Sequence, residues 1–250
     1  MEKEEKQLNR FGLIGKNIAY SFSRGYFAEK FQQLGLHHYH YDNFDLQHIE
    51  LLPKILADNK NLKGLNVTIP YKESVLPYLA SLDEEAEQIG AVNTIKFTPE
   101  GLKGYNTDVH GFKASLLPFL KPQHKKALIL GTGGASKAVA FVFKSLHIPY
   151  LFVSRNRGKH KISYADLDAK QLASHTIIVN CTPLGTSPNI EEKPAIPYEH
   201  IGTDHLLFDL IYNPEKTAFL KEGESQGARI ANGHRMLQLQ AEKAWEIWRS

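Results

Sequence analysis

Apolar residues recur along the chain in short runs, separated by stretches whose apolar positions fall at helical spacing. Residues 10–15 (RFGLIG) predict a first strand, residues 22–34 a helix with Phe27 and Phe31 on one face, and residues 38–44 a second strand. Residues 46–57 read as helical and residues 64–69 as a third strand. This alternation predicts a parallel sheet with helices packed on it. Asp83 followed by acidic residues has the form of a capped helix start, ending near Gly90. Beyond it, AVNTIKF and GLKGYNT flank Thr98-Pro99-Glu100-Gly101, the signature of a hairpin.

A second run of the same kind begins after Asp108. Residues 111–120 predict a connecting helix closed by Lys121-Pro122, and residues 125–130 (KKALIL) a buried strand that runs directly into GTGGAS. A helix over 137–146 and a strand over 150–153 complete a βαβ unit. Residues 176–180 and 206–211 add two apolar strands to the same open sheet, and no internal repeat or low-complexity tract interrupts the pattern.

Composition narrows the class without deciding it. The 250 residues, 42% hydrophobic and 23% charged, are those of an ordinary globular protein of one or two domains. Thirty basic and twenty-seven acidic residues are interspersed, so the net charge of +3 fits a small anionic ligand and argues against nucleic acid. The leading MEKEEKQLNR has no apolar signal core and no apolar run approaches a bilayer span, so a soluble, cytoplasmic protein without membrane partners is expected. A single cysteine, Cys181, excludes an intrachain disulfide and a cysteine zinc cluster. His37, His38 and His40 lie close together, but no carboxylate-and-histidine helix motif accompanies them; a solvated strand edge is the expected reading and no metal is assigned.

Chemistry concentrates at three places. Gly131-Thr132-Gly133-Gly134-Ala135-Ser136 follows a strand and opens a helix: Gly131 permits a sharp turn, Gly133 lets backbone N–H groups approach a pyrophosphate, and small Ser136 permits close packing of helix on sheet. At the end of the next strand, where an acidic residue would receive the ribose hydroxyls of NAD, stand Ser154-Arg155-Asn156-Arg157, with Lys159 behind. A guanidinium pairs with a 2′-phosphate that a carboxylate would repel, so NADP (NADPH) is favoured over NAD. Finally, LNVTIPYK and YNTD deliver Lys72 and Asp108 at the exits of extended segments, a cation and a carboxylate suited to moving a proton on and off an oxygen. The expected fold class is therefore α/β, with an N-terminal α/β substrate domain on a mainly parallel sheet, a C-terminal Rossmann dinucleotide-binding domain, and the active-site cleft between them.

Over nearly its whole length the chain resembles the shikimate dehydrogenase family. The resemblance rests on Gly15, on Ser21-Phe22-Ser23, NVTIPYK, Ala91-Val92-Asn93-Thr94, Asn106-Thr107-Asp108 and GTGGAS. It continues through Asn180-Cys181-Thr182-Pro183-Leu184-Gly185, Asp209-Leu210-Ile211-Tyr212-Asn213-Pro214, and Asn232-Gly233 followed by Met236, Leu237 and Gln240. It implies NADP-dependent reduction of 3-dehydroshikimate to shikimate, in the route to chorismate and the aromatic amino acids. It also implies Ser21 and Ser23, with Tyr212, on the substrate carboxylate; Thr68, Asn93 and Gln240 on its hydroxyls; and Leu210 and Gly233 beside the cofactor. Ser21 and Ser23, two apart in a segment read as extended, would point to one side, although either also suits a helix cap. Gln240 shares a helical stripe with Met236, Ala244 and Trp248. Lys72 would stabilise and protonate the oxygen left after hydride transfer with Asp108 orienting it, and which of the two carries the proton stays open.

Two departures from the family pattern stand out. The proline usual after the first strand's glycine is replaced in Gly15-Lys16-Asn17-Ile18, and the segment after Arg157 leaves no room for a full helix. The domains are expected at 1–109 with 233–250 for substrate and 110–232 for NADP, with a hinge near Asp108 to Gly111 and a monomer or homodimer as the assembly. The competing readings are a quinate/shikimate dehydrogenase of dual specificity, a tetrahydrofolate-type dehydrogenase, and a non-catalytic nicotinamide-nucleotide sensor; the last predicts loss of Lys72 or Asp108.

Overall fold

The computed structural model describes residues 8–19 and 21–250. Most of the charged leader, residues 1–7, lies outside the described residues. The elements run β1 (Asn9–Gly15), α1 (Phe22–Gln33), β2 (Tyr39–Asp45), α2 (Leu52–Asp58), β3 (Leu62–Val67), β4 (Ser81–Leu82), α3 (Glu84–Ile89), β5 (Thr94–Thr98), β6 (Gly101–Tyr105) and α4 (Thr107–Leu116). They continue as β7 (Ala127–Leu130), α5 (Gly134–Ser145), β8 (Tyr150–Ser154), β9 (Lys161–Ser163), α6 (Ala169–Ser174), β10 (Ile177–Asn180), β11 (Leu206–Asp209), α7 (Ala218–Ser225), β12 (Arg229–Ala231) and α8 (His234–Arg249). The chain divides into two compact units, one running to Thr107 and including Ala241–Ser250, the other Asp108–Gln240.

In the first unit the strand order is β2-β1-β3-β5-β6-β4, and only β5 runs against the others. The turn after Thr98 closes β5 and β6 into the expected hairpin, and Asp83 caps α3 by accepting the Ala86 N–H at 3.0 Å. The helix expected over 46–57 is instead a 3₁₀ turn, Ile49–Leu51, followed by α2. Pro53 explains the break: without an N–H it cannot continue α-helical bonding from the preceding turn, yet it suits the first turn of a new helix.

Phe27 and Phe31, one helical turn apart on α1, are both buried. They join Phe11, Tyr41, Trp245 and Trp248 in one aromatic cluster, with Phe27 stacked on Tyr41 at 4.6 Å and Phe11 tilted against Trp248 at 4.9 Å between ring centroids. Full burial of each such side chain is worth roughly 1.5–3 kcal/mol, which fastens the last turns of α8 to this sheet. Trp248 also donates its Nε1–H to the Ile95 carbonyl at 3.0 Å. It lies directly over Gly64 in β3, where a Cβ would stand 2.2 Å from that nitrogen.

In the second unit all strands are parallel in the order β12-β11-β10-β7-β8-β9. Numbered within the unit from the far edge this is 3-2-1-4-5-6, the order of a Rossmann sheet. The central strands β7, β10 and β11 are buried throughout, as their unbroken apolar runs require. Helix α5 starts at Gly134, earlier than expected at 137, because the glycine turn itself is the helix entry and Gly133 is its N-cap. Helix α4 also starts early, at Thr107 instead of 111, and ends at Leu116 ahead of Pro118. From β8 the chain reaches β9 without a helix: Lys161 already pairs with Phe152, so the connection has only a short way to double back.

The ends of β10 and β11 are tied by buried polar groups. Asp209 accepts from Thr217 Oγ1 at 2.6 Å, Ile211 N at 3.0 Å and Asn180 Nδ2 at 3.1 Å. Burial nevertheless dominates and pushes its carboxyl from 3.8 up to about 6, against the downward pull of those three donors.

Gly64→Ala should cost about 2–3 kcal/mol in urea unfolding, because Trp248 must shift and give up its bond to Ile95. Gly25→Ala, in α1 where a Cβ meets nothing within 4 Å, should gain about 0.5–1 kcal/mol; equal effects at the two sites would refute the contact argument. For Asp209, the folded state keeps a proton that the unfolded state has lost between pH 3.8 and about 6. Its stabilising share is therefore full below that window and is lost as pH rises through it. Asp209→Asn should gain about 2–3 kcal/mol on its parent between pH 4 and pH 7, and a pH-independent difference would contradict the shift.

Candidate active site

The substrate-side candidates of the first unit gather at the carboxyl ends of β1 and β3 and the start of β5. The Thr68 N–H donates to Ile14 O at 2.9 Å, and Tyr71 N–H donates back to Thr68 O at 2.9 Å, closing the turn that carries Lys72. Tyr71 is buried and its hydroxyl donates to Leu46 O at 2.5 Å, while Val92 N–H donates to Lys72 O at 2.7 Å. Both neighbours thus fix the backbone under a half-buried Lys72 side chain. Lys72 stands five residues beyond the end of β3, so a bonded turn and not the strand itself delivers it.

Asn93 is the centre of a buried polar node. Its Oδ1 accepts the Thr107 N–H at 2.7 Å and its Nδ2 donates to Thr107 Oγ1 at 3.0 Å. Asn66 donates to Asn93 O at 3.2 Å and to Thr94 Oγ1 at 3.1 Å, and accepts from the Tyr41 hydroxyl at 2.7 Å. Burial raises the Tyr41 hydroxyl far above its ordinary range, with a smaller opposing pull from Ser23, so it serves as a neutral donor. The node secures the N–H that opens α4, and Asp108 follows one residue later. Asp108 therefore sits buried in the first turn of a helix, where its charge suits the dipole, and not at a strand exit as the sequence pattern suggested. Asn66, Thr94 and Thr107 escaped sequence reading; the only signal was a polar residue inside the apolar run LNV.

Ser21 and Ser23 are arranged differently from expectation. Ser21 is the N-cap of α1 and its Oγ accepts the Ser23 N–H at 3.2 Å, while Ser23 is buried within the helix. Ser21 alone is extended and Ser23 is helical, because a serine before Phe22 offers the orphan helix donors a partner.

In the second unit, Gly131 has φ +99, and a Cβ there would stand 3.1 Å from Thr182 Cγ2. Thr132 and Gly133 are exposed, and the position where Gly133 would carry a Cβ faces open space, a cradle at the N-terminus of the 12-residue α5. Ala135 lies in the first turn, and buried Ser136 donates from Oγ to Gly133 O at 2.6 Å, holding the turn against the helix. The glycine turn and the Asn180–Asp209 ties share one sheet end, since Cys181 N–H donates to Leu130 O and Gly131 N–H to Val153 O. Leu210 and Gly233 are brought together: a Cβ on Gly233 would fall 2.0 Å from Leu210 O, so only glycine fits. Tyr212 is half-buried two residues beyond Leu210. Gln240 is buried in α8 and donates to Leu237 O at 3.0 Å, sharing its stripe with buried Met236, Ala244 and Trp248.

After β8, Ser154 Oγ donates to Asn156 O at 2.7 Å and shapes the basic loop. Arg155 and Lys159 are exposed. Arg157 is engaged: its Nε donates to Asp166 Oδ2 at 2.9 Å and its Nη2 to Asp166 Oδ1, a two-point pair. Arg157, with the Ser163 N–H and hydroxyl, holds the Asp166 carboxyl well below the usual carboxylate range. The loop's two guanidinium groups are thus unequal, which their sequence spacing did not reveal. Among the described residues no group of three or more His, Cys, Asp or Glu is placed to hold a metal ion, and no helix is long and apolar enough to cross a membrane.

The model of the shikimate dehydrogenase substrate binding domain matches residues 13–95. The shikimate dehydrogenase (NADP(+)) of Clostridium botulinum is 38% identical over 247 residues, covering 95% of this chain and 95% of the relative. The crystal structure of shikimate dehydrogenase 1 from Peptoclostridium difficile is 37% identical, with a TM-score of 0.83 over 96% of this chain and 91% of that one. That of the Thermus thermophilus shikimate 5-dehydrogenase in complex with NADP(H) and shikimate is 30% identical, with a TM-score of 0.84 over 96% and 93%. With a glycine cradle on a 3-2-1-4-5-6 sheet, an anchored Lys72 turn and relatives of this identity along almost its full length, the chain belongs to the shikimate dehydrogenase family.

Proposed function

We infer that this chain is an NADP-dependent shikimate dehydrogenase, reversibly reducing 3-dehydroshikimate to shikimate on the route to chorismate and the aromatic amino acids. The observation that carries the reading is the coexistence of a glycine cradle at the N-terminus of α5 with a basic loop at the end of β8. Residues 131–136 receive the pyrophosphate on backbone N–H groups and the helix N-terminus. Ser154, Arg155 and Asn156 take the 2′-phosphate side, and Leu210 with Gly233 borders the nicotinamide side. NADPH, when bound, supplies the hydride.

The substrate residues divide the ring among them. Ser21 and Ser23, with Tyr212, offer hydroxyl donors to the carboxylate, while Thr68, Asn93 and Gln240 meet the ring hydroxyls. As the ketone carbon accepts hydride, negative charge grows on its oxygen. The ammonium of Lys72 carries both the positive charge and the proton that this oxygen needs, and we assign the proton transfer to it. Asp108, held in the first turn of α4, orients the ammonium and binds a substrate hydroxyl. In the reverse direction Lys72 accepts the hydroxyl proton as hydride leaves the carbon.

Purified protein given NADP or NAD with shikimate or quinate should reduce NADP with shikimate; absence of reduction in every pairing would favour a sensing role and overturn the assignment. Lys72→Ala should lower kcat by roughly 10²–10⁴-fold with KM for shikimate much less changed, and near-normal turnover would remove Lys72 from the mechanism. Arg155→Ala should raise KM for NADP about tenfold or more, whereas Arg157→Ala, whose guanidinium is engaged by Asp166, should raise it less. The opposite ranking would reassign the 2′-phosphate contact.

A further inference from the structure

The segment joining β1 to α1 is gripped from the end of β2. Asp45 Oδ1 accepts the Asn17 N–H at 2.9 Å and Asp45 Oδ2 accepts the Ile18 N–H at 3.2 Å. Asn43 Nδ2 donates to the Ile18 carbonyl at 3.0 Å, so side chains of β2 hold both polar groups of residue 18. The same carbonyl accepts the Ser21 N–H at 3.0 Å, which passes the constraint directly to the N-cap serine. Ile18 is itself 3% exposed, so its side chain is anchored in the core while its backbone is clamped.

Asn17 makes this possible through its φ of +56. A left-handed residue turns consecutive N–H groups toward one point, the concave arrangement that binds an anion. Here the anion is the chain's own carboxylate. Asparagine tolerates this region better than most residues, whereas proline, locked near −65°, cannot enter it. The departure noted at Gly15-Lys16-Asn17-Ile18 therefore comes with its own fastening.

We propose that Asp45 is a positioning residue for the substrate site: by clamping Asn17 and Ile18 it sets where the Ser21 hydroxyl meets the substrate carboxylate. Asn43 completes the clamp at the Ile18 carbonyl. Asp45 is exposed and packs in no core cluster, so its replacement tests placement of the loop without opening the core. The inference rests on the assignment of Ser21 to the carboxylate, and the experiment separates the two.

The test is steady-state kinetics of the full chain with shikimate and NADP. Asp45→Ala should raise KM for shikimate about tenfold, with KM for NADP unchanged and kcat altered by less than about threefold. Asp45→Asn, which keeps one acceptor oxygen, should fall between. Asn17→Gly retains access to positive φ and should stay within about twofold of the parent, while Asn17→Pro should match or exceed the Asp45→Ala defect. Unchanged KM for shikimate in Asp45→Ala, or a fully active Asn17→Pro, would overturn the clamp. Parallel losses in both KM values and in thermal stability would likewise overturn it, by showing a general folding role. Ser21→Ala is the reference: if it leaves KM for shikimate unchanged, the Ser21 assignment fails, whereas a raised KM there with a normal Asp45→Ala rejects the clamp alone.

Discussion

The bond on which the first unit's site depends is the one from Thr107 N–H to Asn93 Oδ1. The start of a helix leaves backbone donors without intrahelical partners, and here one of them is met by a side chain fourteen positions earlier in the chain. Asn93 sits where β5 begins, so this contact makes the strand end and the helix start one object. Its carbonyl also accepts the Val67 N–H, which joins the end of β3 to the same point. Asn66, Thr94 and Tyr41 extend the same network, and in a dry interior such bonds are rigid because an unmade bond there is expensive. The Lys72 turn leaves β3 two residues beyond this knot, and Asp108 follows it by one.

The second unit solves the same problem with different parts. Its strands end in Asn180 and Asp209, whose side chains bond each other and the loops that follow. The glycine turn is backed by that framework at Thr182, so its conformation is set from behind. Both units therefore place mobile-looking turns on buried amides and carboxylates, and both concentrate polar burial at strand ends instead of in the sheet centres.

Much of this organisation was legible in the residues. Short apolar or extended runs, separated by turn formers, located nine of the twelve strands, the short edge strands β4, β9 and β12 going unread, and the glycine turn announced the dinucleotide unit. What stayed hidden were consequences of distant pairing. Thr107 could not be read as a helix start because its cap, Asn93, is remote, and Ser23 lies inside the helix expected over 22–34, so the extended reading of the Ser21–Ser23 pair gave way to that helix. Pro53 and Pro118 were visible, yet their effect was to move helix boundaries that periodicity alone placed elsewhere, Pro53 delaying the start of α2 and Pro118 ending α4 at Leu116. The unequal engagement of Arg155 and Arg157 required knowing that Asp166 folds back nine positions onto the loop. Spacing reports what lies on a face; it does not report which charge is already paired.

The short connection from β8 to β9 carries a consequence beyond nucleotide binding. It leaves β9, three residues long, as the margin of a fully parallel sheet. An open sheet edge exposes unpaired N–H and C=O groups that a second chain can adopt as a template. Here that margin offers too few residues for a stable ladder, and Lys159 and Lys161 bring positive charge to its approach. The helix-free connection thus ends the sheet in a short, basic margin, a poor template for strand addition at this border.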